Sequence, residues 1–483
     1  MEYQQRTRVS ALAPDSKTRR FAVIGAGAAG LCCAKNLIQA GFEDVTIFEI
    51  GSQIGGVWCY RNDNERSSAY RTLHINSAKN LTNFSDFPFR EDVQMFPDHR
   101  DMHKYLVDYA AHFDLTRRIR FNTTIVDVRP AGCYRAEAPL WEVETEHGEI
   151  TTFDRVMVAS GHLSLPMHVN EFREKFSGTY IHSHYYREPE PFVGQRICVV
   201  GVGNSACDIA SDVCVNSQRT VMVARSGVMI VPKLIFGRPF TDFTIKLERK
   251  WVPNWLRSRI TSTLVRLFHG RMTDLGFKAL AQRAHTTSSA VLVQHIVYDR
   301  INVKQGIERI EGNRIHFVDG SNDEFDVLIA ATGYQIELPF ISESIVPIKD
   351  NAVDLYQRIV PPGWDGLYFI GMLNTTTSLP NAFEHQMRWI LPFELGQATL
   401  PTVNEMHAAI EAKKDFIKRY YKASLRHTIE EPHLIYFREL RKSLKEAKHR
   451  ARRAPQHPVR GAAGALLRED ALSGNRISNS QHP

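Results

Sequence analysis

What this sequence lacks narrows its function first. It has no run of 18 or more uncharged apolar residues, so a membrane-spanning helix is not expected. The segment 1–18 has no apolar core, so it reads as a disordered lead-in and not as a secretory leader. There is no Cys-x-x-Cys, and the seven cysteines are odd in number: Cys32, Cys33, Cys59, Cys133, Cys198, Cys207 and Cys214. That argues against a disulfide framework and a dithiol redox centre, and for a reducing, cytoplasmic setting. Cys32, Cys33 and Cys207 follow glycine turns and read as small buried apolar residues. His182 and His184 lack partner ligands at convincing spacing, so no metal site is expected.

An excess of one charge sign is confined to one segment. The formal net charge is +7. Eight Lys or Arg face one acid, Glu446, between Arg441 and Arg460, which accounts for the whole excess. The basic balance describes a tail and not a nucleic-acid groove. Residues 447–483 read as that tail, disordered for want of apolar content, with weak contact to an anionic membrane surface as its one other use. At about 150 residues per domain, a chain of 483 residues holds roughly three units.

What is present begins with the apolar run Phe21 to Ile24. The turn Gly25-Ala26-Gly27-Ala28-Ala29-Gly30 follows it, then a helical stretch from Leu31 to Ala40. Val45 to Phe48 reads as the next strand and ends at Glu49. The first glycine allows a tight turn, the second lets backbone approach a pyrophosphate, and the third lets the helix pack on the strand. The helix N-terminus offers N–H groups to phosphate, and the acid accepts from a ribose diol. A lone glycine pattern is weak evidence, but this one has its strand, its helix and its acid.

The unit recurs. Ile197 to Val200 leads into Gly201-Val202-Gly203-Asn204-Ser205-Ala206, and Thr220 to Ala224 ends at Arg225. Gly25 to Glu49 and Gly201 to Arg225 are both 24 residues, but the acid has become an arginine. A guanidinium pairs with a 2′-phosphate that a carboxylate would repel, and Ser226 adds a hydroxyl. The second nucleotide is therefore expected to be NADP(H), and the first to carry a free 2′-hydroxyl. Phe153 to Gly161 and Phe325 to Gly333 are parallel apolar strands that close on glycine, each preceded by a hairpin signal, His147-Gly148 and Asp319-Gly320. Asp365 to Gly371 is a further short strand, followed by a helix from Asn381, and this segment is expected to return to the first domain.

The fold class expected is α/β, with two dinucleotide-binding, Rossmann-like domains and the NADPH domain inserted within the FAD domain. The expected boundaries are 19–165 and 326–446 for the two parts of the first domain. The second spans 166–325, with a helical insertion at 226–288 that includes Trp251 and Trp255. That insertion walls a substrate channel, rests on a membrane surface, or merely caps the domain.

From Phe21 to Leu444 the chain resembles the flavin-containing monooxygenases. The motifs are GAGAAG with Glu49, Gly55-Gly56-Val57-Trp58, and the series Phe176, Gly178, His182, Tyr186. GVGNSA with Arg225, Ala331-Thr332-Gly333-Tyr334, and Glu384-His385-Gln386-Met387-Arg388-Trp389 follow. The resemblance implies FAD at the first turn and NADPH at the second, with Gly56, Val57 and Trp58 along the FAD. Val126, Ala331, Thr332, Gly333, Tyr334 and Gln386 are counted as further cofactor contacts. Asn76 matches an asparagine that the family places beside the reactive edge of the flavin, where an amide bonds without titrating.

The resemblance implies oxygenation of a soft nitrogen or sulfur in a small molecule by dioxygen, through a C4a-hydroperoxyflavin. Baeyer–Villiger relatives typically carry tryptophan where this chain has Tyr186. Ketone oxygenation, an uncoupled NADPH oxidase, and a nucleotide-binding sensor or scaffold stay open as alternatives, as does a homodimer. His182 reads as a structural, hydrogen-bonded histidine.

Overall fold

The computed structural model describes residues 16–136, 138–247, 252–280, 286–375, 378–420 and 428–453. Residues 1–15 of the expected lead-in 1–18, residues 454–483 of the expected tail 447–483, and Trp251 lie outside the described residues.

Strand β1 (Phe21–Ile24) is buried at all four positions. It is central, and a parallel strand covered on both faces needs an unbroken apolar run. It pairs in parallel with β2 (Val45–Phe48) and with Arg155–Val158. Ile119–Arg120 and Leu367–Phe369 form the two edges, also parallel. Helix α1 (Ala28–Gln39) presses Leu31, Cys32, Cys33 and Leu37 into the core of this sheet.

The second sheet repeats that order. Strand β3 (Arg196–Val200) lies between β4 (Arg219–Val223) and Val327–Ala330, with Ile301–Lys304 and Thr179–His182 at the edges, all parallel. Helix α2 (Asn204–Val213) follows β3 as α1 follows β1. Each unit also carries a three-stranded antiparallel meander, turning at Gly148 (φ 77°) and Gly320 (φ 82°).

The two sheets recruit their fifth strands differently. The first takes Leu367–Phe369 from the chain beyond the second domain. The second takes Thr179–His182 from upstream of its own first strand. His182 therefore ends an edge strand, and Gly178 is needed beside it because a Cβ there would fall 2.6 Å from the Asp326 carbonyl oxygen.

Three of the expected limits differ from the ends of the elements. Val327–Ala330 belongs to the second sheet, because it pairs with β3 on one side and Thr179–His182 on the other, so the edge drawn after residue 325 shifts past Ala330. The two crossings between domains run side by side, as the antiparallel pair Leu165–Pro166 and Tyr334–Gln335. Ser16–Thr18 forms a helical turn outside the lead-in, and the helix His433–Arg453 absorbs the first residues assigned to the basic tail. The insertion at 226–288 is not wholly helical. Ile230–Val231 pairs with Thr287–Ser288, Leu234–Ile235 with Arg238–Pro239, and only then come α3 (Phe240–Leu247) and α4 (Asn254–His269). No described helix is long and apolar enough to cross a membrane.

Candidate functional site

A cavity of about 680 Å³ joins the two glycine turns. Gly25, Gly27, Ala28 and Ala29 line it from the first turn and Asn204 from the second. Glu49, Gly56, Val57, Trp58 and Asn76 line it as well.

The first turn is built from what its glycines leave out. Gly25 has φ +107°, and a Cβ on it would sit 2.7 Å from the Ala159 oxygen. A Cβ on Gly30 would sit 1.8 Å from the Gly25 oxygen, so α1 packs against the turn as only glycine permits. Gly27 caps α1 with no side-chain hydrogen bond, which leaves the first N–H groups of the helix open to an anion. A Cβ on Gly27 would point toward the Gly56 Cα, 3.7 Å away, so backbone alone walls the channel there. Glu49 is buried, and its two oxygens accept from Ala26 N at 2.7 Å and Gly51 N at 2.9 Å. Burial pushes its carboxyl above the usual range, against those two N–H bonds.

The second turn repeats the geometry with one change. Gly201 has φ +133°, and a Cβ would sit 2.4 Å from the Ala331 oxygen. Gly203 caps α2, again with no side-chain bond. Ser205 and the fully buried Ala206 form the first turn of α2, and Asn204 Oδ1 accepts from Ser288 N at 3.1 Å. Arg225 is exposed, beside the half-buried Ser226, and makes no hydrogen bond or ion pair with any described residue.

Four buried polar atoms that find no protein partner belong to cavity-lining residues: Asn76 Oδ1, His162 Nδ1, Thr241 Oγ1 and Ser378 Oγ. Such atoms are rare in folded proteins and call for a ligand or water. Burial holds the His162 imidazole down, to about 4, so it is neutral at physiological pH. Two open helix N-termini, a buried ribose acceptor, an unpaired guanidinium and these four atoms fit a dinucleotide at each turn.

Several expected contacts do not line this cavity. Gln386 is fully enclosed: its Oε1 accepts from Gly371 N at 2.9 Å and its Nε2 donates to Tyr436 Oη at 3.0 Å, so it supports the lining residue Gly371 without reaching the cavity. Val126 is 43% exposed and faces away, while its neighbours Thr124 and Ile125 line the cavity. Gly30, Gly201, Gly203, Ser205, Ala206, Arg225 and Ser226 do not line it, nor do Ala331, Thr332, Gly333 and Tyr334. Thr332 Oγ1 donates to the Met167 carbonyl, and the Tyr334 ring lies edge-on to His182, with centroids 5.6 Å apart. Thr332 and Tyr334 thus sit at the crossing between domains. His182 is buried, its Nδ1 accepts from His184 N at 3.1 Å, and burial lowers it to about 4. Tyr186, also buried, donates to Asp212 Oδ2 at 2.5 Å and does not touch the cavity.

Sequence reasoning missed His162, Lys233, Thr241 and Ser378. None belongs to a motif. The one visible signal was a lysine inside the apolar run Ile230 to Ile235.

Against known proteins, the sequence model of a family described as FMO-like, flavin-binding monooxygenase-like, matches residues 18–450. Flavin-containing monooxygenase 5 of Homo sapiens is 32% identical over 443 residues, 87% of this chain and 82% of that protein. Dimethylaniline monooxygenase (N-oxide-forming) 2 of Oryctolagus cuniculus is 30% identical over 442 residues, with the same coverage of 87% and 82%. Among solved structures, S-allyl-L-cysteine S-oxygenase from Allium sativum superposes with a TM-score of 0.66 at 24% identity, over 89% of each chain. An open form of cyclohexanone monooxygenase gives 0.63 at 18% identity, over 89% of this chain and 98% of that one. These last two likenesses concern the fold.

Proposed function

The chain belongs to the flavin-binding monooxygenase-like family and is a flavin-dependent monooxygenase that uses FAD and NADPH; from that premise we propose that it oxygenates a soft nitrogen or sulfur in a small organic substrate. One observation carries the reading: one cavity is lined by residues of both glycine turns and by Asn76, whose Oδ1 is buried without a protein partner.

Bound FAD and NADPH supply the hydride and oxygen chemistry. The chain's part is to bind, orient and exclude water. The open N-termini of α1 and α2 hold the two pyrophosphates. Glu49 accepts from the ribose hydroxyls of FAD, and Arg225 with Ser226 pairs with the 2′-phosphate of NADPH. Asn76 Oδ1, unpaired in the cavity wall, would accept an N–H or O–H of a bound cofactor or substrate without titrating. Phe240 and Leu247 of the insertion wall off water. His162, one of two imidazoles that line the cavity, is held neutral by burial, and a soft nucleophile needs no base to activate it. A relative named as N-oxide-forming supports nitrogen as an atom oxygenated. A cytoplasmic location is supported by seven free thiols, six of them buried.

The test is a product balance. Purified enzyme is given NADPH, dioxygen and a panel of tertiary amines, thioethers and cyclic ketones. The expected result is N-oxide or sulfoxide in near-equal amount to NADPH consumed. Esters formed from ketones with no heteroatom product, or peroxide alone with every substrate, would refute the reading.

A further inference from the structure

The segment that carries Asn76 is not held by its own domain alone. Ile75, the residue before it, donates its N–H to the Pro97 oxygen at 2.9 Å, a contact within the first domain. Its carbonyl accepts from Lys233 Nζ at 3.3 Å, a contact from the insertion of the second domain. The carbonyl belongs to the Ile75–Asn76 peptide group, and peptide groups are planar. Fixing that oxygen fixes the plane from which the Asn76 side chain departs.

Lys233 is itself held on several sides. Its ammonium lies 5.3 Å from the centroid of the Phe96 ring, a cation–π distance. It lines the cavity beside Ile75 and Asn76. Burial lowers the Lys233 ammonium below the usual lysine range, and the carboxylate of Asp208 on α2 partly offsets that by favouring the charged form. Asp208 in turn accepts from Tyr70 Oη at 2.6 Å, and Asp212, one turn on, accepts from Thr72 Oγ1 at 3.1 Å. The stretch from Tyr70 to Asn76 is thus fastened to the second domain at these three points and through Arg71, whose N–H donates to the Arg187 oxygen at 2.8 Å and whose guanidinium pairs with Glu190. Two of the three points lie on α2, whose N-terminus is the proposed NADPH site.

We propose that Lys233 is a positioning residue: by holding the Ile75 carbonyl it aims the Asn76 amide into the cavity, and it makes that aim depend on the docking of the second domain. The proposal rests on the reading of Asn76 given above. A charged donor suits this place better than a neutral one, because hydrogen bonds to ionised groups are about twice as strong as neutral ones. A lysine recruited only to cover surface would not bring its amine to a backbone carbonyl inside a cavity wall.

The experiment compares wild type, Lys233→Met, Lys233→Arg, Asn76→Ala and the double variant Asn76→Ala/Lys233→Met, all full length and purified with FAD. Two quantities are read. The first is hydrogen exchange at the amides of residues 73–79, which requires no turnover. The second is the share of NADPH electrons that ends in peroxide, together with the rate of flavin reduction by NADPH.

Lys233→Met is expected to speed exchange in this segment by about tenfold while the sheets stay protected. It is expected to raise the peroxide share about fivefold while reduction stays within about twofold. Lys233→Arg, which keeps a charged donor, is expected to restore both. The double variant is expected to match Asn76→Ala in its peroxide share, since both act at one point. Unchanged exchange and coupling in Lys233→Met, beside an uncoupled Asn76→Ala, would overturn the role of Lys233 and leave Asn76 standing. A fully coupled Asn76→Ala would overturn the reading of Asn76 and the proposal with it. Loss of FAD from Lys233→Met and Lys233→Arg alike would show a purely structural lysine and would also overturn the proposal.

Discussion

Replacing Arg225 with alanine tests the nucleotide assignment most directly. The guanidinium is exposed at the end of β4, and no described acid competes for it. Its removal therefore leaves no uncompensated partner inside the protein, and the measured loss reports the ligand contact alone. A hydrogen bond to a charged group contributes about 1.5–3 kcal/mol. Two parallel bonds to a phosphate would exceed that, but exposure and salt screening reduce it. A net loss of about 2 kcal/mol corresponds to roughly 30-fold in relative kcat/KM, at about 1.4 kcal/mol per decade. NADH lacks the phosphate and should lose nothing. The assay is flavin reduction by NADPH and by NADH over a range of concentrations, at low and at physiological ionic strength. The NADPH preference of Arg225→Ala should fall by that factor, and by less at higher salt. Arg225→Lys should fall between, since it keeps the charge but loses the fork. A preference within about twofold of wild type would refute the assignment of the 2′-phosphate to this residue.

Other substitutions probe other links. Gly30→Ala puts a Cβ 1.8 Å from the Gly25 oxygen, so α1 must lift from β1, and the purified protein should lose bound FAD and melt earlier. Flavin retained at wild-type stoichiometry would contradict this. His182 is held neutral by burial, at about 4, against about 6.5 in an unfolded chain. Its contribution to stability is therefore full above about pH 6.5 and is lost as pH falls through about 4. The melting temperature of His182→Gln should then fall less steeply than that of wild type across this window, and equal slopes would clear His182 of the effect. Tyr186→Phe removes the donor to Asp212 and should cost about 1–2 kcal/mol in chemical denaturation. It should leave product identity unchanged, because the ring does not touch the cavity. A shift toward ester products would place Tyr186 closer to the chemistry than its contacts do.

The parts of the fold legible in the sequence are those where backbone sterics leave one residue choice. Gly25, Gly30 and Gly201 must be glycine because a carbonyl oxygen occupies the space of a Cβ, so their spacing could be read as a motif. The exchange of Glu49 for Arg225 at equal spacing was legible because strand length and helix length fix where each β-strand ends. The fifth strands were harder. Thr179–His182 is short and half polar, and only its parallel pairing with Val327–Ala330 reveals it as an edge. Gln386 misled because a polar residue inside an apolar helix signals burial and not which group it serves. Lys233, Thr241 and Ser378 stayed hidden for another reason. Lys233 and Ser378 reach the cavity from segments with no periodic pattern and Thr241 from the first turn of a short helix, so their role is set by tertiary folding alone.

The way the first sheet is completed has a consequence for synthesis. Its edge strand Leu367–Phe369 is translated only after the entire second domain. At about 5–20 residues per second, the nascent first domain waits on the order of 10–40 s with the flank of Arg155–Val158 unpaired. An open parallel edge is a template for wrong partners. The second domain has no such delay, because its edge strand Thr179–His182 leaves the ribosome before its core. The inserted domain is therefore positioned to fold first, and a ribosome stalled after Gly333 should present a folded nucleotide domain beside an unfinished one that exposes its hydrogen-bonding edge to chaperones.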